Sequence, residues 1–330
     1  MAAARLNELK DTMELTVHPL EATVAICTYN GKARIGDVIR ALAEQTLPKG
    51  SWELVVIDNA SKDDTHEVVS GLLREWLPEN GRVVLETRAG LSFARARAAE
   101  EARGPLLLFL DDDTVPAADW VERGVRAFGE IPAAGVIGGK VKPRWEVTPT
   151  PLAEAVAPFA LAICDRGDER MLLDEIGGGV VGAGMCVRTG LLREIYADPG
   201  APAQVTGRTG SNLMSGEDIA ISAVAREKGW ECWYEPGMVI EHMLPASRME
   251  KGYLLRLYEG IGRGQAATRK VYDWKARTVL SWGIGLKDLV RWVAGQVRGG
   301  VGGGLEGELH ELRQRQTLGR GLQAMRWPRG

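Results

Sequence analysis

Residues 106–114 read Leu-Leu-Leu-Phe-Leu-Asp-Asp-Asp-Thr. Five apolar residues in a row suit a strand buried on both faces, and three consecutive carboxylates follow at its tip. Like charges that close repel one another, so packing alone gives no reason for them. Their natural counter-charge is a divalent cation, and hard ions such as Mg2+ or Mn2+ favour carboxylate oxygens together with phosphate oxygens. The same residues also read as an acidic helix start, with Thr114-Val115-Pro116 opening the helix.

Upstream, the β-type run 23–27 ends in the turn signal Thr28-Tyr29-Asn30-Gly31. Ile35, Val38, Ile39 and Leu42 then recur at helical spacing over 35–45, and Pro48-Lys49-Gly50 closes that segment. A second strand at 53–57 ends in Asp58-Asn59, a helix follows at 62–76, then a strand at 82–86 and a helix at 93–103. This alternation predicts an α/β fold, a doubly wound, mostly parallel, Rossmann-like sheet. Such sheets bind ligands beyond the carboxyl ends of their strands. Tyr29, Asn30, Asp58, Asn59 and Asp111 to Asp113 are therefore expected on one rim.

Downstream, 136–141 reads as a strand and 143–170 as proline-interrupted and partly helical. Residues 177–188 read as a glycine loop entering a strand, 216–228 as an amphipathic helix, and 230–236 and 239–242 as two short extended pieces. From about residue 244 the pattern is helical, basic and Trp-containing, with a glycine-rich linker at 299–304. The expected division is a lead-in at 1–20, a catalytic domain at 21–245 and a helical tail at 246–330.

With 330 residues and a net charge of −3, the chain can bury a large core and gives no case for a nucleic-acid partner. Cys27, Cys164, Cys186 and Cys232 show no paired ligand spacing and read as free thiols of a reducing cytoplasm. Four histidines make a His-rich zinc site a poor expectation. Residues 1–21 read as neither secretion signal nor membrane span, and no apolar run approaches the ~20 residues a spanning helix needs.

A rim of this kind can hold a nucleoside diphosphate. Asp58 can accept from a base imide or a ribose hydroxyl, Tyr29 offers a face for base stacking, and Asp111 with Asp113 can hold a metal that neutralises the diphosphate. Neither glycine-rich phosphate signature follows the first strand, so the metal must take over that charge. A nucleotide-sugar user fits better than an ATPase or a dehydrogenase.

VAICTYNG at 24–31, ELVVIDNASKDDT at 53–65, GLSFARARAA at 90–99, LLLFLDDDT at 106–114, GAGMCVR at 182–188 and SGEDIAISAVAREKGW at 215–230 together resemble the family-2 inverting glycosyltransferases of GT-A fold. They occur in that family's order over roughly the first three-quarters of the chain. The resemblance implies a donor such as a UDP-, dTDP- or GDP-sugar and Mn2+ or Mg2+ as cofactor. It implies that Thr28, Tyr29 and Asn30 frame the base, that Asp58 reads its imide edge with Asn59 among the donor contacts, and that Arg95 lies against the nucleotide. Asp111 would touch ribose or metal, Asp113 would coordinate the metal, and Asp112 and Gly182 would lie among the donor contacts. Ala96 and Gly184 stand where the family often has Asn.

The resemblance also implies that Asp218, with Glu217 as alternative, is the base that deprotonates the acceptor hydroxyl. The pair also reads simply as acids complementing a helix N-terminus. His242 matches a third metal ligand of relatives, or is a hydrogen-bonded structural residue. Arg248 is a candidate grip on the diphosphate, and His18, His66 and His310 look incidental.

In the tail, Trp274, Trp282 and Trp292 interleave with basic residues such as Arg256, Arg269, Lys275 and Arg291. Such helices can lie on an anionic membrane surface, which suggests a lipid-linked saccharide acceptor, cell-surface polysaccharide assembly and a place on the inner face of the plasma membrane. Equally, the apolar stripe can pack on the catalytic domain or on a second subunit. Competing functions are a sugar-nucleotide pyrophosphorylase, which would want a basic glycine loop after the first strand, and a non-catalytic sugar-nucleotide-binding partner, which would have lost the carboxylates.

Overall fold

The computed structural model describes residues 20–173, 179–198, 208, 213–272, 287–290, 292 and 304–325. Strands β1 (Ala22–Thr28), β2 (Trp52–Asp58), β3 (Gly81–Leu85) and β4 (Leu106–Asp111) alternate with helices α1 (Ile35–Ala43), α2 (Thr65–Trp76) and α3 (Leu91–Glu101). Then come β5 (Thr114–Pro116), α4 (Trp120–Glu130), β6 (Ala134–Trp145), α5 (Pro151–Ala160), β7 (Met171–Leu172), β8 (Cys186–Arg188), α6 (Thr189–Ala197), α7 (Glu217–Glu227) and β9 (Glu231–Leu244). Helices α8 (Lys251–Tyr272) and α9 (Leu305–Met325) follow.

One sheet carries all nine strands of the described residues in the order β3-β2-β1-β4-β8-β6-β9-β5, with β7 paired to β9. The long ladders are parallel, between β1, β2, β3 and β4 and between β6 and β9. The antiparallel pairings span two or three residues each. Both faces are covered, which is why the strands are continuously apolar. Alternate residues go to opposite layers: Val24, Ile26, Leu54, Val56, Leu108 and Leu110 pack with α1, α2 and α4. Ala25, Val55, Ile57, Leu107 and Phe109 pack with Ala94 and Ala98 of α3, Leu191 and Leu192 of α6, and Ile221 of α7. Register brings the tips together, with Thr28 beside Asp58 and Cys27 beside Asp111.

Two expectations are corrected. Thr114-Val115-Pro116 opens no helix; it is edge strand β5, antiparallel to β9 with Thr114 opposite His242. The Thr114 hydroxyl bonds both the N–H and the C=O of Asp111, which closes a tight turn after β4, and a proline is tolerated at a sheet edge. The two short pieces at 230–242 are one 14-residue strand, β9. Its pairing with β6 jumps from Glu235 opposite Gly139 to Val239 opposite Lys140, so Pro236-Gly237-Met238 is absorbed as a bulge. A Cβ on Gly139 would lie 1.9 Å from the Met238 carbonyl oxygen, so only glycine fits opposite that bulge.

In the tail, Leu254, Leu257 and Tyr258 of α8 and Leu312 of α9 are buried with Leu152, Val156 and Ala157 of α5 and Leu244 of β9. The described part of the apolar stripe therefore packs on α5 and β9. Trp274 and Trp282, and most of the linker at 299–304, lie outside the described residues. No helix among the described residues is long and apolar enough to cross a membrane. All four cysteines are unpaired.

Candidate active site

A cavity of about 590 Å3 opens at the carboxyl ends of β1, β2 and β4. Thr28, Tyr29, Asn59, Arg95, Asp111 to Asp113, Gly182, Glu217, Asp218, His242 and Arg248 all line it. Asp58 and Asn30 are not among its walls.

Asp112 is taken up by the frame. Arg34 donates from Nε to Oδ1 at 3.1 Å and from Nη2 to Oδ2 at 2.8 Å, and the Thr28 hydroxyl donates to Oδ2 at 2.6 Å. Burial, with Asp113 adjoining, still pushes this carboxyl up despite Arg34. A Cβ on Gly31 would lie 2.0 Å from the Thr28 Oγ1 and 2.4 Å from the Asp112 Oδ2, which explains the glycine of the turn. Sequence analysis put Asp112 and Thr28 among the donor contacts; their polar atoms here hold each other.

Asp113 faces the opposite way. Arg248 donates to its Oδ2 at 2.6 Å, and His242 Nε2 lies 3.5 Å from its Oδ1. β5 and β9 create that proximity, since the Met243 N–H donates to the Asp113 carbonyl at 2.8 Å. Burial would raise the Asp113 carboxyl, but the cationic groups around it, the Arg248 guanidinium foremost, hold it well below the usual carboxylate range. His242 Nδ1 lies 3.0 Å from the Leu161 carbonyl, which can only accept. That contact assigns the proton to Nδ1 and leaves Nε2 a lone pair, which accepts from Arg248 Nη1 at 2.8 Å. An imidazole held through its other nitrogen by a backbone carbonyl is the usual arrangement of a metal ligand.

The Asp111 carboxylate lines the same space and makes no hydrogen bond or ion pair among the described residues. Among those residues no three acidic, His or Cys groups stand close enough to cage a metal. Asp111, Asp113 and His242 border the same cavity without caging an ion by themselves; a hard cation there would need water or diphosphate as its remaining ligands, the ordinary mode for Mg2+. The Arg248 guanidinium lies between Asp113 and His242, so a cation using both groups would have to displace it.

Across the cavity, α7 begins at Glu217 after Gly216, whose φ of +127° suits only glycine. Asp218 Oδ2 accepts the Gly182 N–H at 2.8 Å and Oδ1 accepts the Ile219 N–H at 2.9 Å. Glu217 is buried; the Tyr196 hydroxyl bonds its Oε1, and Arg95 lies 3.6 Å from its Oε2. Burial pushes the Glu217 carboxyl up, with Arg95 and Tyr196 opposing. Arg95 itself is buried over the Phe109 ring and reaches the Gly182 carbonyl, so its charge is spent on Glu217.

The remaining rim residues brace loops. Asp58 accepts from the Ser61 N–H at 3.1 Å and faces His66 Nδ1 at 3.4 Å, so His66 is not incidental. Asn30, in the left-handed region at φ +50°, accepts the Lys62 N–H, and Asn59 ties the Arg88 carbonyl and the Gly90 N–H to the tip of β2. Tyr29 is 40% exposed and keeps an open ring face. Sequence reasoning missed Arg34, Tyr196 and the Leu161 carbonyl. Arg34 was findable as a cation a few residues past the tip of β1, the strand that pairs with β4; the other two are brought in by tertiary packing.

A sequence profile described as Glycosyl transferase family 2 matches residues 23–195, just over half of the chain. Glycosyltransferase AglE of Haloferax volcanii is 34% identical over 123 residues, 36% of this chain and 39% of that protein, so the match spans well under half of the relative. The glucosyl-dolichyl phosphate glucuronosyltransferase of the same organism is 22% identical over 72% of this chain and 73% of its own length. A mannosyltransferase from Pyrobaculum calidifontis, solved in complex with GDP-Man and Mn2+, superposes with a TM-score of 0.54 at 19% identity, over 81% of this chain and 71% of that one. At that identity it shows a shared fold.

Proposed function

We propose, from the premise that this chain belongs to glycosyl transferase family 2, that it is a metal-dependent, inverting glycosyltransferase using a nucleoside-diphosphate sugar. One observation carries the reading: Asp218 lines the same cavity as Asp111, Asp113 and His242. Three carboxylates and an imidazole thus border one space large enough for a nucleotide sugar.

In this reading Asp218 takes the proton of the acceptor hydroxyl as that oxygen bonds the anomeric carbon from the side opposite the diphosphate. The carbon–oxygen bond to the diphosphate breaks, its electron pair leaves with the diphosphate, and configuration inverts. Asp111, Asp113 and His242 would hold a divalent cation, which would supply charge against the departing diphosphate. Arg248 moves from Asp113 to the diphosphate oxygens, for which its planar fork is suited. Tyr29 stacks the base, while Asp112, Asn59 and Asp58 keep the rim in shape. Glu217, paired with Arg95 and Tyr196, positions the start of α7.

The acceptor is a saccharide hydroxyl, free or lipid-linked, in cell-surface polysaccharide assembly; the activity named for the dolichyl-phosphate relative supports the lipid-linked form. The catalytic unit spans 21–245. The tail at 246–330 adds a peripheral contact with the inner face of the plasma membrane, and flotation with anionic liposomes tests that part, since equal flotation after truncation near Pro245 refutes it. For the donor, a thermal-shift panel of UDP-, dTDP- and GDP-sugars with and without Mn2+ is the test. At least one should raise the melting temperature only when Mn2+ is present; no shift with any refutes the proposal.

A further inference from the structure

Helix α8 contains the run Gly260-Ile261-Gly262-Arg263-Gly264. Three glycines on alternate positions weaken a helix interior, so they need a reason in close packing. A Cβ on Gly260 would lie 2.2 Å from the Leu213 carbonyl oxygen, and one on Gly264 only 1.5 Å from that of Ser215. Positions 260 and 264 share one helix face. The backbone of 213–216 therefore lies in a groove that only these glycines leave open. Thr268, one turn on, lies 3.3 Å from where a Cβ of Gly216 would stand, and its hydroxyl bonds the Gly264 carbonyl at 2.9 Å. The next residues are Glu217 and Asp218.

The opposite side of α8 is braced as closely. A Cβ on Gly262 would lie 1.9 Å from the Gln316 carbonyl oxygen of α9, and one on Gly319 of α9 would lie 2.1 Å from that of Glu259. Helix α8 is thus clamped between α9 and the segment that leads into α7.

We propose that Gly260 and Gly264 are positioning residues, which seat 213–216 so that Asp218 faces the cavity; the tail thereby serves as a brace for catalysis. This rests on the reading of Asp218 as the base. Ordinary contact with a methyl group at 264 would need the segment to retreat by about 2 Å, and a displacement of about 1 Å at a reacting group can reduce rate ~100-fold.

The test compares Gly260→Ala, Gly264→Ala and Gly262→Ala in the full chain, since the last adds the same methyl on the face away from the segment. Nucleoside diphosphate release from the nucleotide sugars that bind, with Mn2+, gives kcat and KM, and melting temperature reports the structural cost. Gly260→Ala and Gly264→Ala should lower kcat by about tenfold or more beyond Gly262→Ala, with donor KM changed less than about threefold. Three variants that lose kcat alike and in step with melting temperature overturn the proposal. Asp218→Asn run alongside keeps the two readings apart: full turnover there sinks the base assignment, whereas the glycine pattern alone decides the groove. Should Gly264→Ala not fold, hydrogen exchange of the native chain decides it. Amides of 213–220 should open together with those of 260–268, and faster, independent opening of 213–220 overturns the proposal.

Discussion

Replacing Arg34 by alanine isolates the device that makes an acidic triplet tolerable at the tip of β4. Arg34 makes two charge-assisted hydrogen bonds to Asp112, at 3.1 and 2.8 Å. Asp112 has a side chain 10% exposed, whereas that of Arg34 is 39% exposed. Breaking a fully buried pair costs about 3–5 kcal/mol. Solvent reaches Arg34, which screens the pair and lets water replace part of the lost donors, so the expected cost falls to about 2 kcal/mol. Urea unfolding of wild type, Arg34→Ala, Asp112→Asn and the double variant would measure it. The cycle should return a coupling of about 1–2 kcal/mol, because each side chain's main partner is the other. Full additivity, or an Arg34→Ala cost under about 0.5 kcal/mol, a surface-level effect, would refute the reasoning. It would mean that Asp112 does not depend on Arg34.

Arg248→Ala removes the guanidinium between Asp113 and His242, so Mn2+ should bind the nucleotide-free protein more tightly in calorimetry, while UDP binding in the presence of Mn2+ weakens; unchanged Mn2+ affinity would argue against the shared position. Gly31→Ala forces the Thr28 hydroxyl off Asp112 and should cost about 1–3 kcal/mol in the same urea assay; wild-type stability would contradict the crowding at that turn. Glu217 is raised by burial, so the folded state holds a proton that the unfolded state has lost, and wild-type stability falls as pH rises through that window. Glu217→Gln cannot titrate, so its melting temperature relative to wild type should climb from about pH 4 toward neutrality; a flat difference would mean that Glu217 ionises as it does in solvent.

Most of the parallel half was legible because its signals are local. Apolar runs of five residues, helical spacing such as Ile35-Val38-Ile39-Leu42, and polar residues at strand ends fix the elements and their parallel alternation without long-range information. That Asp111 to Asp113, Asn59 and Tyr29 share a rim followed from topology alone. What sequence left open lies in long-range pairing. The continuity of β9 depends on a bulge absorbed against Gly139, and β5 exists only because β9 offers it a partner. The direction of each carboxylate was equally hidden: Asp112 and Asp113 are neighbours in sequence, yet one turns to Arg34 on α1 and the other to Arg248 beyond β9. The glycines of α8 carry no meaning until the backbone against which they lie is known.

In the proposed reaction Asp218 accepts the acceptor's proton across the cavity from a cation that Asp111, Asp113 and His242 would hold. Single-turnover transfer by Asp218→Asn, with Mn2+ and the nucleotide sugar that binds best, tests it most directly. The rate should fall by about 100-fold to 10,000-fold, with donor and Mn2+ affinity close to wild type, because the amide keeps an oxygen for the Gly182 N–H. Transfer at the wild-type rate with the donor bound normally would contradict it.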